Sequence, residues 1–267
     1  MLALLALGLT ASAGDALAEL ENQQQAIYES TAPSVVFISN KAGFGSGFIV
    51  REDGLVLTNA HVVGNRDTVD VVLLDGTTLK GTVIERAKNL DLALVDIPGS
   101  DLPTLPVAAA PGAVHVGAWA ASVGHGQGGI WTFTTGMVTN RYLDDGVTVF
   151  QTQIPVNPGN SGGPVLDRSG TAIGLVTAGM VGADSINFAI PTFEAIRALD
   201  GLSGACQCLT VRAPAGAAVF VDGAMVGSGP MVRVPTTPGS HEVFAVIDGK
   251  KVDRTASWPD NPEVTLK

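Results

Sequence analysis

Basic residues are scarce in this chain of 267 residues: 15 Lys and Arg stand against 25 Asp and Glu, a net charge of −10. No basic stripe runs along the sequence, which argues against a nucleic-acid binder and favours neither polyanions nor membrane surfaces. Cysteine is nearly missing too. Cys206 and Cys208 are the only two, and a bond between them would close a very small, strained ring. Free thiols, a redox-labile pair and cross-links to another chain stay open as alternatives, and two ligands cannot complete a structural zinc site. No catalytic role is assigned to them, and no metal or organic cofactor is implied. Long apolar runs are also lacking. The stretch from Met1 to Ala13 is too short to span a bilayer, and no other segment resembles a span.

That N-terminal stretch is followed by small residues, Ala11-Ser12-Ala13 and Ala16-Leu17-Ala18, that fit a leader-cleavage pattern. It lacks a basic start. Residues 1–18 are therefore expected to be a signal peptide, with Gly14 or Glu19 as the mature start. The protein is expected to be exported, to the periplasm, the cell envelope or the outside.

Glycine and proline are plentiful, 33 and 15 residues, between short β-rich runs, and 46% of the chain is hydrophobic. This predicts an all-β body with an ample core, and the length predicts one large and one small unit. Residues 19–30, rich in Glu, Gln and Ala, predict a helix that Ala32-Pro33 ends. Six strands are expected from Val35 to Ile97, with Asp75-Gly76 as a hairpin turn, and six more from Val116 to Ile190.

The most informative segment is Asn157-Pro158-Gly159-Asn160-Ser161-Gly162-Gly163-Pro164-Val165. It sets a serine among glycines before an apolar strand, where the backbone can bend sharply and aim its N–H groups into one small space. A serine hydroxyl needs a base within reach, and that base needs an orienting group. Of the four histidines, His61 is the placed one, at the end of the apolar run Gly54 to Ala60. His125 sits in Gly124-His125-Gly126-Gln127-Gly128 and reads as a solvated loop residue, while His115 and His241 read as surface or edge residues. For the carboxylate, Asp91 opens the run Leu92-Ala93-Leu94-Val95, where a buried acid must be paired. Taken alone, Asp91 reads rather as a strand-end or turn residue bonded to nearby amides.

The chain order His61, Asp91, Ser161 and the segments Gly45-Ser46-Gly47-Phe48, Thr58-Asn59-Ala60-His61, Asp91-Leu92-Ala93-Leu94, Gly159-Asn160-Ser161-Gly162-Gly163-Pro164 and Asn187-Phe188-Ala189-Ile190-Pro191 resemble the HtrA/Deg family of trypsin-fold serine proteases over about residues 25–198. The resemblance implies two six-stranded β-barrels with the site in the cleft between them. It implies His61 as base and then acid, Asp91 as its orienting group, and Ser161 as nucleophile. It also implies an oxyanion hole from the N–H groups of Gly159 and Ser161, with Asn160 between them. Activity is expected to rise with pH as the base loses its proton. The partners implied are polypeptide substrates, and a homo-oligomer through the N-terminal segment, for which Gln23-Gln24-Gln25 gives only a hint.

By the same resemblance the primary specificity pocket is walled by Val156, Val176, Thr177 and Ala178 and closed by Asn187. Pro155 and Val156 supply no acid for Arg or Lys, so a small or medium apolar side chain is expected there. The backbone around 176–179 is expected to pair with an extended substrate. The pattern changes after a linker at 202–208. Residues 209–267 read as short strands with Gly and Pro turns, resembling a PEGA domain, a small β-sandwich-like module, where HtrA proteases commonly carry PDZ domains. Attachment to a cell-envelope component is one role open to it; a compact accessory module without a ligand is the other. The function expected is an exported serine endopeptidase acting on unfolded or flexible proteins. The rival is a latent, chaperone-like protein of the same fold.

Overall fold

The computed structural model describes residues 13–109, 114–128, 131–144, 146–179, 186–202, 208–236, 239–258 and 260–267. Most of the expected leader, and the linker with Cys206, lie outside them. Helix α1 (Ala13–Thr31) is longer at its start than the expected 19–30. It stops where Pro33 enters a short 3-10 turn (Ala32–Ser34), since proline lacks the N–H that continues a helix. Ile27 is its residue in the core.

Strands β1 (Val35–Asn40), β2 (Gly43–Arg51), β3 (Leu55–Asn59), β4 (Thr68–Val72), β5 (Thr78–Ala87) and β6 (Leu92–Asp96) close one barrel in the order β1-β2-β3-β6-β5-β4. Strands β7 (Trp119–Gly124), β8 (Thr132–Asp144), β9 (Val147–Thr152), β10 (Pro164–Leu166), β11 (Ala172–Gly179) and β12 (Asn187–Pro191) close a second in the order β10-β11-β12-β9-β8-β7. The all-β, two-barrel expectation is met. The differences are local: β7 starts at Trp119 rather than Val116, which is exposed in a turn, and β8 runs on to Asp144. Two short helices, α2 (Ala60–Val63) and α3 (Thr192–Ala198), follow β3 and β12.

Alternation along the strands decides how the barrels pack. On β3, Val56 joins the interior of the first barrel while Leu55 and Leu57 join the layer between barrels. On β6, Ala93 and Val95 point in and Leu92 and Leu94 point out. Both faces are thus apolar, which is why these strands read as unbroken hydrophobic runs. Phe48, Leu166 and Leu175 complete the shared layer; Phe48 is fully buried, contributing about 2–3 kcal/mol of transfer free energy. That layer fixes the two halves of the site against each other.

Beyond the barrels, strands β13 (Cys208–Arg212), β14 (Ala218–Val221), β15 (Ala224–Ser228), β16 (Met231–Pro235), β17 (Gly239–Ile247), β18 (Lys250–Trp258) and β19 (Glu263–Thr265) form two sheets, β16-β13-β19 and β15-β14-β17-β18. They enclose their own core around Leu209, Val211, Val219, Val243 and Leu266. Arg197 of α3 reaches this module, donating to the Val226 carbonyl at 3.4 Å.

Candidate active site

His61 is the second residue of α2, one turn placed where β3 ends. That turn is held from below by Asp91. The Asp91 carbonyl accepts from the Ala60 N–H at 3.0 Å and from Asn59 Nδ2 at 2.9 Å. Its carboxylate accepts the His61 N–H at Oδ1, 2.9 Å, and faces His61 Nδ1 from Oδ2 at 2.7 Å. Asp91 adopts left-handed backbone angles, φ 54° and ψ 42°, immediately before β6, a conformation that Asp tolerates better than most residues. Burial alone would raise the Asp91 carboxyl pKa, but the hydrogen bonds from the His61 side chain and backbone, the imidazole's charge and the Thr177 hydroxyl together hold it below the ordinary value. With Oδ2 facing Nδ1, the imidazole presents Nε2 for other work.

Ser161 comes from the second barrel, just before β10. Its Oγ donates to the Thr177 carbonyl at 3.3 Å, and Thr177 Oγ1 in turn donates to Asp91 Oδ2 at 3.0 Å. One residue therefore touches both barrels' contributions. Thr177 sits at a register shift between Val176 and Ala178 where β11 pairs with β12, and such a bulge re-aims the side chain it carries. Among the described residues no hydrogen bond joins Ser161 to His61.

The loop before Ser161 is a tight turn. The Asn160 N–H donates to the Asn157 carbonyl at 2.9 Å across Pro158 and Gly159, and Gly159 has φ 106°, close to a type II turn with proline and glycine in their preferred places. A β-carbon at Gly159 would collide with the His125 carbonyl oxygen. The Pro158 carbonyl accepts the Gln127 N–H at 2.6 Å. Because N–H and C=O oppose each other across a trans peptide, the Gly159 N–H faces away from Gln127. Among the described residues neither the Gly159 N–H nor the Ser161 N–H has an acceptor. The Asn160 N–H is committed to Asn157, so Asn160 shapes the turn and is not a third free donor.

His125 is where the structure corrects the sequence reading. It is 1% exposed, not solvated. Its ring meets Trp131 and Phe37 edge-on at 4.4 and 5.2 Å. Ser46 Oγ donates to the Gly159 carbonyl at 2.7 Å and accepts the His125 N–H at 3.1 Å, with His125 Nδ1 a further 3.0 Å away. Since the single hydroxyl proton goes to Gly159, Nδ1 carries the imidazole proton, and Nε2 is buried without a hydrogen-bond partner. Burial pushes the His125 pKa down to about 4. Ser46, which carried no signal beyond the family-like Gly-Ser-Gly, is thus part of the site's support.

Comparison with known proteins bears on the family of the fold. The family model described as "Trypsin-like peptidase domain" matches residues 45–175. The crystal structure of Deg5 is 30% identical with a TM-score of 0.59, the match covering 67% of this chain and 92% of that one. The chain belongs to the trypsin-like peptidases. Among curated relatives of this peptidase, HhoA of Synechocystis sp., named as a serine protease, is 42% identical over 164 residues, 58% of this chain and 41% of HhoA. A Halomonas elongata protein named as a DegP-like periplasmic serine endoprotease is 36% identical over 169 residues, 61% of this chain and 35% of the relative. This chain thus spans about two fifths or less of the curated relatives' length. The inactive form of a mutant of Rv3671c from M. tuberculosis H37Rv is 28% identical with a TM-score of 0.60.

The residues expected to form the peptidase's specificity pocket are placed unevenly. Val176 is buried in the second barrel, its N–H and carbonyl taken by Gly163 at 2.9 Å and Gly162 at 2.8 Å. Its backbone is therefore not open to a substrate. From Thr177 onward β11 has β12 on one side only, because β10 pairs no further than Leu175. Asn187 is buried and donates to the Ile154 carbonyl at 2.7 Å, and Val156 packs partly buried against the same core. The backbone of Ala178 lies in β11, opposite Phe188. His241 lies within β17 rather than at a strand's edge, held between Asp222 Oδ2 at 2.6 Å and Thr236 Oγ1 at 2.7 Å.

Proposed function

We propose that this peptidase is an exported serine endopeptidase that cleaves unfolded or flexible polypeptides through His61, Asp91 and Ser161. The observation that carries the reading is that Thr177 links Ser161 to the Asp91–His61 pair: its hydroxyl donates to Asp91, which holds His61, and its carbonyl accepts from Ser161. Ser161 Oγ attacks the peptide carbonyl carbon and passes its proton to His61 Nε2. The carbonyl π pair becomes an oxyanion facing the N–H groups of Gly159 and Ser161. As the C–N bond breaks, the proton moves from His61 to the leaving amine and an ester is left on Ser161. Water, deprotonated by His61, then attacks that ester and restores the serine. Asp91 keeps the imidazole oriented and stabilises its charged form.

The acyl half of the substrate lies along the open side of β11 from Thr177, with a small or medium apolar side chain toward Val156 and Asn187. Export to the periplasm or envelope is supported by the apolar N-terminus and by the name of the Halomonas elongata relative. The two-sheet C-terminal unit supports a PEGA-like module, for which attachment to an envelope component is a role that fits. A second reading, a latent or weakly active protein with a chaperone-like role, is favoured by one feature: the Ser161 hydroxyl rests on Thr177 rather than on His61. Hydrolysis of unfolded casein by the wild type, compared with Ser161→Ala, separates the two. Turnover lost in the variant supports the peptidase, and none in the wild type supports the rival.

A further inference from the structure

A cleft of about 540 Å³ opens beside His61, and neither Thr177 nor Ser161 lines it. One wall is the β1–β2 hairpin with Asn40 and Phe44; the other is His61, Val62, Val63 and Arg66. The walls are braced, not adventitious. Asn40 Nδ2 ties the hairpin to the Val62 carbonyl at 2.8 Å, and its Oδ1 accepts the Ala42 N–H at 2.7 Å. Arg86 holds the other wall from behind, donating to the carbonyls of Gly64 and Arg66.

The cleft's rim runs against the charge of the whole chain. Lys41 sits on the hairpin between two lining residues, Arg66 lines the cleft, Arg86 is bonded to its backbone, and Lys88 Nζ reaches Asn65 Oδ1 at 3.1 Å. Among the described residues none of these four cations has a carboxylate partner. This is in a chain with 25 acids against 15 Lys and Arg. Acids nearby in the chain are either used or single: Asp91 is held by His61 and Thr177, Asp70 pairs with Lys80 at 2.5 Å, and Asp67 follows Arg66.

Resting on the peptidase reading above, the direction of the substrate follows from the proton's path. His61 protonates the leaving amine, so the chain that follows the scissile bond departs across the His61 face, into this cleft. We infer that the cleft binds the residues just downstream of the cut and selects for a carboxylate there, either an Asp or Glu side chain or a free C-terminus. Phe44, 41% exposed, supplies apolar contact, and the four cations supply the field. Exposed charges of this kind act weakly one by one and are screened by salt, so the selection is cumulative and falls as ionic strength rises.

The test uses quenched fluorescent peptides of one sequence, with Glu, Gln or Lys at each of the first three downstream positions, and each as free acid or amide close to the cut. Wild type is expected to cleave the best Glu peptide on the order of tenfold faster than its Lys counterpart by kcat/KM. That ratio should shrink in high salt and fall toward one or invert in Arg66→Glu and Lys41→Glu. If only the acid-against-amide pair differs, the carboxylate being read is a terminus; if the Glu and Lys peptides differ, it is a side chain. Equal rates for all charge states in a wild type that cleaves the Gln peptide overturn the inference alone. No cleavage of any peptide overturns the peptidase reading and the inference with it.

Discussion

The Ser46 hydroxyl donates to the Gly159 carbonyl at 2.7 Å and is itself held by the His125 N–H at 3.1 Å. A residue of β2 in the first barrel thereby fixes a peptide in the turn that presents Ser161 in the second. In the proposed mechanism that turn carries the oxyanion donors. Ser46→Ala leaves the Gly159 carbonyl and the His125 N–H without this partner, a loss of about 1–3 kcal/mol per buried group. Its kcat is expected to fall about ten- to a hundredfold, below the 10²–10³ typical for complete loss of a donor, with KM little changed. Steady-state kinetics check this. A peptidyl boronate, whose adduct oxygen occupies the oxyanion position, should lose affinity in parallel with kcat/KM.

Thr177 joins Asp91 and Ser161 by two different groups, so they can be separated. Thr177→Val removes the hydroxyl from Asp91 and keeps the carbonyl. Asp91 retains His61 and is open to water, so the expected loss is modest, about five- to tenfold in kcat/KM, near 1 kcal/mol. A loss of several hundredfold would mean the hydroxyl does more than steady the carboxylate.

His125 and Asp91 give stability opposite anchors in burial but the same sign with pH. The His125 pKa is lowered to about 4 by burial, so below about pH 6.5 the unfolded chain binds a proton that the folded one does not. Its contribution is full above that pH and is lost as pH falls through about 4, a change on the order of 3 kcal/mol at most. The Asp91 carboxyl, also lowered, adds its loss below the ordinary carboxylate value of 3.8. Thermal melts should therefore show Tm falling between neutrality and pH 4, and His125→Asn should flatten that part of the curve. An unchanged slope in the variant would show that another group titrates there.

The strands of both barrels were legible because their apolar runs, turn glycines and Asp75-Gly76 are local signals. The short helices were not: in α2 the residues Ala60-His61-Val62-Val63 continue the apolar composition of β3, and the bonds from Asp91 and Asn40 that hold the turn come from elsewhere in the chain. His61, Asp91 and Ser161 could be picked out by local context, and the structure brings them to one place. His125 was misread for a physical reason. Glycines on both sides signal a solvated loop, yet Phe37 and Trp131, which bury it, lie elsewhere in the chain. The bulge that turns Thr177 toward Asp91 left no mark in the sequence either, because a register shift is a property of the pair β11 and β12.

Labelling by a fluorophosphonate tests whether Ser161 is a nucleophile activated by His61, without any need to know the substrate. The folded wild type is expected to be labelled, with labelling abolished in Ser161→Ala and reduced by several orders of magnitude in His61→Ala. Folded wild type that stays unlabelled, or labelling that survives Ser161→Ala, would contradict that role for Ser161.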